Sequence, residues 1–242
     1  MKILALESSA LACSAALCED ETLLAQSTQN CGLTHSVTLM PMAADLLKNC
    51  GLTLAQMDVI AVAAGPGSFT GLRIGVAAAK GLAWAAEKPC AACSTLESMA
   101  WSLAHLEGSE ICAVMDARRN QMYNARFRAE GDTLERLCPD RAVGLDELAE
   151  ELKTSENPQI LVGDGAVLCY TTFQEQGLDA VLAFKLAPPH LRLQSAWGVA
   201  RCALDLARSG GLTDAAGLAP VYHRLSQAER ERNERLERGD YT

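Results

Sequence analysis

"DVIAVAAGPGSFTGLRIGVAAAKGLAWAA", residues 58–86, decides the fold. A short continuous apolar run meets a glycine-dense turn, and the turn opens into an alanine-rich stretch. The run reads as a buried strand over 58–64 and the rest as a helix over 68–86. A glycine turn between strand and helix usually holds a phosphate. Both standard loops fail here. A Walker A loop counted from Gly65 requires glycine at 70, where Thr70 stands, and no Lys-Ser or Lys-Thr follows. A dinucleotide loop requires G-x-G-x-x-G; the third glycine is Gly71, one position late, and Pro66 has no N–H to donate. The amides of Ser68 to Thr70 are still placed to cap an anion. The alternative is that Gly65 and Gly67 make the turn and Ser68 caps the helix.

Between Thr70 and Ala86 only Arg73 and Lys80 are charged. The preceding helix, expected over 35–49 as "HSVTLMPMAADLLKN", is likewise apolar nearly all round. A helix covering a sheet should be apolar on one face only, so these two need something else to cover them. Gly71, Gly75, Ala77, Ala78, Ala79 and Gly81 would let another backbone approach. Glycine inside a helix costs roughly 1 kcal/mol against alanine, and close packing with a second subunit is the reason favoured here over burial within one chain. An uncovered patch of this size would be a liability.

Outward from this unit the order repeats. "KILALE" (2–7), "ACSAALC" (12–18) and "TLLAQST" (22–28) read as a meander of three strands before the first helix. "PCAACS" reads as a strand and "TLESMAWSLAH" as a third helix. Then "ICAVMDARRNQMYNARFR" gives a strand ending in Asp116, a polar turn and a returning strand, as "ILALESSALACSAAL" does around Glu7. "TLERLC" (133–138) continues this second meander. "GLDELAEELKT" reads as an amphipathic helix, "QILVGDGA" as a strand and turn, and "LRLQSAWGVARCALDLARSG" as a long helix ending at Gly210. Strand-strand-strand-helix-strand-helix, given twice, implies an α/β fold of two related units, each with a mixed sheet flanked by helices. The first unit is expected over residues 1–106, completed by a helix over 192–210. The second, smaller unit is expected over 107–191. Residues 211–242 form a C-terminal segment with a charged tail, "SQAERERNERLERGD". There Glu231/Arg235 and Glu234/Arg238 support an exposed helix.

The 242 residues suit one large or two small domains, and 49% hydrophobic content supports a core. The net charge of −9 argues against nucleic-acid binding by this chain alone. "MKILALESSA" is too short and too acidic for a signal peptide, and no apolar run reaches bilayer length, so a cytoplasmic protein with no membrane contact is expected. Most of the ten cysteines sit singly in apolar runs, among them Cys13, Cys18, Cys112, Cys169 and Cys202; they read as reduced and buried. The pair in "CAAC", Cys90 and Cys93, lies on a strand, where residues three apart face opposite sides; this favours a structural role over a redox or metal one.

Taken together, "ILALESS", "AVAAGPGSFTGLRIGVAAAKGLA" (61–83), "MDARRNQMYNA" (115–125) and "VGDGA" (162–166) resemble the TsaB, or YeaZ, family across most of residues 1–210. The resemblance implies the acetate kinase, sugar kinase, Hsp70 and actin fold, two RNase H-like halves. It implies a part in making N6-threonylcarbamoyladenosine at position 37 of tRNAs that read codons starting with A. In that system TsaB is the non-catalytic partner of its paralogue TsaD, which holds the metal and transfers the group. TsaE, an ATPase, joins the heterodimer, and tRNA is met only through the complex. Two helices from each partner form a four-helix bundle. The expected interface residues are Thr38, Pro41, Met42, Asp45, Arg73, Val76, Ala77, Lys80 and Trp84. A homodimer is expected of the chain alone, because the same patch must be covered.

The TsaD family carries a H-x-E-G-H type motif after the strand that follows the second helix. Aligned on the "CAAC" strand, this chain has Thr95 and Met99 at the histidine positions, with Glu97 between them. The histidines at 35, 105, 190 and 223 form no pair at ligand spacing. No metal, cofactor or catalytic residue is assigned. Kinases of the fold carry aspartate and glycine at the first phosphate turn; here it is "ESSAL". A vestigial nucleotide site would use Glu7, Ser8, Asp116, Gly163 and Gly165. On it rests the rival reading, an ATP-dependent phosphotransferase or ATPase. A peptidase has no Ser/His/Asp or Cys/His arrangement to support it.

Overall fold

In a computed structural model the described residues are 1–155, 157–178 and 183–224. The charged tail, with its Glu231/Arg235 and Glu234/Arg238 pairs, lies outside them. The first half opens with β1 (Lys2–Glu7), β2 (Cys13–Glu19) and β3 (Thr22–Gln29), then α1 (His35–Asn49), β4 (Val59–Gly65), α2 (Phe69–Ala86), β5 (Cys90–Ser94) and α3 (Thr95–Trp101). The second half repeats the plan. It runs β6 (Glu110–Asp116), β7 (Gln121–Glu130), β8 (Thr133–Arg136), β9 (Arg141–Gly144), α4 (Leu145–Leu152), β10 (Gln159–Val162), α5 (Ala166–Glu175) and β11 (Phe184–Leu186), and α6 (Ala196–Arg208) closes the chain of elements.

The sheets share one topology. Their orders are β3-β2-β1-β4-β5 and β8-β7-β6-β10-β11, with β9 paired to β7. In each, the three meander strands are antiparallel and the last two strands run parallel to the first. This is the RNase H-like plan twice over. Period-two alternation sorts the side chains. From β1, Leu4 and Leu6 turn toward α1 and α2, while Ile3 and Ala5 turn toward α6. From β6, Cys112 and Val114 turn toward α4 and α5, while Ile111, Ala113 and Met115 turn toward α3. Helices α3 and α6 thus lie between the two sheets. The CAAC pair obeys the same rule: Cys90 joins one core and Cys93 the other, both buried. All ten cysteines are free thiols, and burial pushes the Cys18 thiol up to about 11 and Cys112 up to about 12.

Several features differ from the sequence expectations, and α3 ends at Trp101 rather than running through "SLAH" to His105. The last helix begins at Ala196, not 192, because the Ser195 hydroxyl accepts the Trp197 amide at 3.3 Å and caps it there. It ends at Arg208 rather than running to Gly210. Strands β9 and β11 and helix α5 are additions to the expected order.

The base of the second sheet is pinned by a buried charge. The Glu110 carboxylate accepts bonds from Arg126 Nη2 (2.8 Å), Gln159 Nε2 (2.8 Å), Asn157 Nδ2 (3.0 Å) and Ser155 Oγ (3.0 Å). Burial favours the neutral acid, but these donors outweigh it and hold the group at about 2. A depressed carboxylate contributes stability that is present above its ordinary value near 4.5 and is lost as pH falls toward 2. Glu110→Gln should lower the melting temperature at pH 7 and flatten its fall on acidification; circular dichroism melts between pH 7 and pH 3 check both.

Candidate functional site

The glycines of the 65–75 turn are filled by this chain's own backbone. A Cβ on Gly71 would collide with the Ser8 carbonyl oxygen, and one on Gly75 would come to 2.5 Å from Ser8 Oγ. At Gly67 it would lie 2.5 Å from the Ser9 carbonyl oxygen, and at Gly65 it would strike the Val221 carbonyl oxygen. Ser8 Oγ donates to the Gly71 carbonyl at 2.9 Å, and the Ser68 amide donates to the Ser9 carbonyl at 2.6 Å. Ser68 Oγ caps α2 by accepting the Gly71 amide at 3.3 Å. The turn between β1 and β2 is thus pressed onto the first two turns of α2. Gly71 and Gly75, read from sequence as room for a partner, are occupied from within. Only Gly81 among the α2 glycines has open space above it.

The outer faces of α1 and α2 remain open. Val37, Met40, Pro41, Ala44 and Asp45 project from α1, and Arg73, Ala77, Gly81, Trp84 and Ala85 from α2. Val37 is 69% and Trp84 74% exposed. Of the residues expected at a partner interface, Pro41, Asp45, Arg73, Ala77 and Trp84 are therefore at the surface. Thr38, Met42 and Val76 are buried, Met42 and Val76 in the core beneath the helices and Thr38 against Cys13, and Thr38 and Met42 also line a groove beside Val37, Pro41 and Asp45. They lie on the inward stripe, and Val37, Met40 and Ala44 carry the outward one. Lys80 is half-buried and donates to the carbonyls of Ala216 (3.2 Å) and Leu218 (3.0 Å), which ties α2 to the C-terminal segment.

Between the halves lies a cleft of about 460 Å³ where the β1–β2 turn, the start of α2, the β6–β7 turn and residue 164 converge. Asp116 borders it, accepting the Arg118 amide at 2.7 Å. Glu7 and Ser8 lie buried beneath the cleft, and Ser9 forms its wall instead. Gly163 (φ +112°) and Gly165 let the β10–α5 turn close onto the end of β6: a Cβ at Gly163 would collide with the Val114 carbonyl oxygen, and one at Gly165 would lie 3.0 Å from the Met115 carbonyl carbon. Their conformations serve packing, and they aim Asp164 at the cleft. Burial pushes the Glu7 carboxyl up to about 7, against the Ser9 amide that donates to it at 2.5 Å and with the Asp164 charge adding to the rise. Burial likewise raises Asp164 to about 6. A raised carboxyl contributes stability that is complete below its ordinary value, near 4.5 for Glu7, and is lost as pH climbs through about 7. The melting temperature should therefore fall between pH 5 and pH 8, and Glu7→Gln should remove part of that fall; melts across this range decide it.

At the positions aligned with the histidine motif, Thr95 and Met99 are fully buried in the core between the sheets. Glu97 is paired to Arg136 at 2.5 Å. Among the described residues no three His, Cys, Asp or Glu side chains gather as a metal site, and no helix is long and apolar enough to cross a membrane.

One segment that lines the cleft carries no signal in the sequence. Residues 219–224 run across the cleft mouth. The Val221 amide donates to the Ala64 carbonyl at 2.7 Å. The Tyr222 ring stacks on Phe69 at 4.8 Å, and its hydroxyl accepts from Arg73 Nε at 3.1 Å. Arg224 Nη1 donates to the carbonyls of Ala117 and Arg118.

Two RNase H-like lobes with a cleft between them, and an open helix pair on the first lobe, define an acetate kinase, sugar kinase, Hsp70 and actin-type fold. A family model described as TsaD, tRNA N6-adenosine threonylcarbamoyltransferase, matches residues 28–224. The chain is 34% identical over 233 residues to the tRNA threonylcarbamoyladenosine biosynthesis protein TsaB of Bacillus subtilis (strain 168), covering 95% of this chain and 96% of that one. Identity to the protein of the same name from Escherichia coli (strain K12) is 38% over 131 residues, 54% of this chain and 56% of that one. The structure of YeaZ from Pseudomonas aeruginosa matches with a TM-score of 0.74 at 26% identity, over 91% of this chain and 99% of that one. The chain belongs to the TsaB (YeaZ) family.

Proposed function

We propose that this chain is the non-catalytic subunit of the cytoplasmic complex that transfers a threonylcarbamoyl group to adenosine 37 of tRNA, and that it acts by pairing with TsaD. The observation that carries this reading is the open face of α1 and α2, where Val37, Met40, Pro41, Ala77 and Trp84 meet solvent on two adjacent helices. Apolar surface gathered in this way favours association. A matching helix pair from the paralogue would lie along it as a four-helix bundle, with TsaE joining the heterodimer and tRNA reached through the complex. The Thr95 and Met99 substitutions support the division of labour, since neither side chain replaces an imidazole ligand.

Size-exclusion chromatography with light scattering tests the pairing. The chain alone is expected as a homodimer through the same face. Mixed with TsaD of the same organism, it is expected as a one-to-one heterodimer that displaces the homodimer. A chain that stays apart from TsaD would overturn the reading.

A further inference from the structure

We infer that residues 219–224 are an intramolecular clamp: the interdomain cleft is the receptor for this chain's own C-terminal segment, and that segment fixes the two lobes against each other. The contacts divide between the lobes. On the first lobe, Val221 bonds the end of β4 at Ala64, and Tyr222 is held by Phe69 and Arg73 of α2. On the second lobe, Arg224 takes two carbonyl oxygens of the β6–β7 turn, those of Ala117 and Arg118. A stretch of four residues therefore grips both sides of one cleft.

The receptor is shaped for this occupant. Gly65 has φ +143°, and any side chain there would strike the Val221 carbonyl. The absence of a Cβ at Gly65 thus serves the clamp. Phe69, at the first position of α2, is held by two groups: Tyr222 stacks on it, and the Arg73 guanidinium carbon lies 3.9 Å from its ring centre. A cationic side chain on the ring face and an offset aromatic pair each add to simple burial. The cationic Arg224 enters a cleft that Asp116 and Asp164 border, so charge favours the same register.

The clamp also reaches the helix proposed to dock. Arg73 is held by Tyr222, and Lys80, two turns on, by the Ala216 and Leu218 carbonyls. The C-terminal segment therefore lines one flank of α2 while the opposite flank stays open. The inference does not rest on the docking proposal, because its test uses the free full-length chain.

Hydrogen exchange on Tyr222→Ala, Arg224→Ala and the double variant tests it. In the double variant, exchange of the amides at 64–69 and at 117–119 should rise about tenfold or more as local opening becomes easier, with β1 and β6 still protected. Arg224→Ala alone should show the same rise at 117–119 and a smaller one at 64–69. Unchanged exchange in both turns, or a rise confined to the turn that lost its own contact, would make the segment a passive cover and overturn the clamp. If the double variant unfolds, Arg224→Ala decides the matter alone, since among the described residues that side chain bonds two surface-turn carbonyls.

Discussion

Ala77→Arg should leave this chain folded and abolish its pairing with TsaD. Ala77 is exposed midway along α2, one turn from Arg73 and one from Gly81, so within one protomer the new side chain projects into solvent beside Arg73 and Lys80, like charges whose repulsion costs a few tenths of a kcal/mol. Surface substitutions of that kind stay within about 0.5 kcal/mol of wild type. In a helix bundle the same position falls inside the seam. A guanidinium buried there without a partner costs about 3–5 kcal/mol, at least a hundredfold in Kd. Trp84→Ala should act in the same direction by another route. An exposed tryptophan at an interface centre is a typical anchor, and its truncation costs about 2–4 kcal/mol. Light scattering and titration of each variant against TsaD, with Asp132→Arg on the far lobe as control, measure this. Ala77→Arg binding TsaD at wild-type strength would remove the α1–α2 face from the proposal. Loss of the homodimer with the heterodimer intact would show that two different surfaces are in use.

How far the sequence carried the structure depends on what each residue had to report. Strands buried on both faces and the two alanine-rich helices announce themselves by composition and period, and β1, β4, α1 and α2 lie within a residue or so of their expected bounds. Helix α5 does not, because "AVLCYTTFQE" contains Tyr170, Thr171, Thr172 and Phe173, residues that favour strands. Packing of Ala166, Cys169 and Phe173 on the second sheet overrides that preference. Strand β11 is three residues long and forms only by parallel pairing with β10, a partner distant in sequence. The expected interface residues mix inward and outward positions for a related reason. A helix apolar all round does not say which side faces the sheet. That side is fixed by Gly71 and Gly75 lying on Ser8, contacts between residues more than sixty positions apart. The clamp is invisible for the same cause: "PVYHR" has no periodicity, and the contacts that place it are with residues far away in the chain.

The glycines of the opening stretch make the sharpest stability test. Gly71→Ala should destabilise the chain, and Gly81→Ala should stabilise it. By helix propensity alone both changes gain roughly 0.5–1 kcal/mol. At Gly81 nothing lies within 4 Å of the added methyl, so that gain should appear in the free chain. At Gly71 the methyl collides with the Ser8 carbonyl oxygen, which belongs to the backbone between two paired strands and has nowhere to retreat. Overpacking of this kind costs about 1–3 kcal/mol, and each kcal/mol lowers the melting temperature of a chain this size by about 2–4 °C. Melts of the two variants beside wild type should therefore move in opposite directions. A Gly71→Ala protein as stable as wild type would mean that the β1–β2 turn can lift off α2, and the turn would again have room for an anion. The pairing assay then separates the two roles that glycine plays in one helix. If Gly81→Ala gains stability alone and loses affinity for TsaD, the third glycine is kept for the partner's close approach, whereas Gly71 and Gly75 are kept for the chain's own.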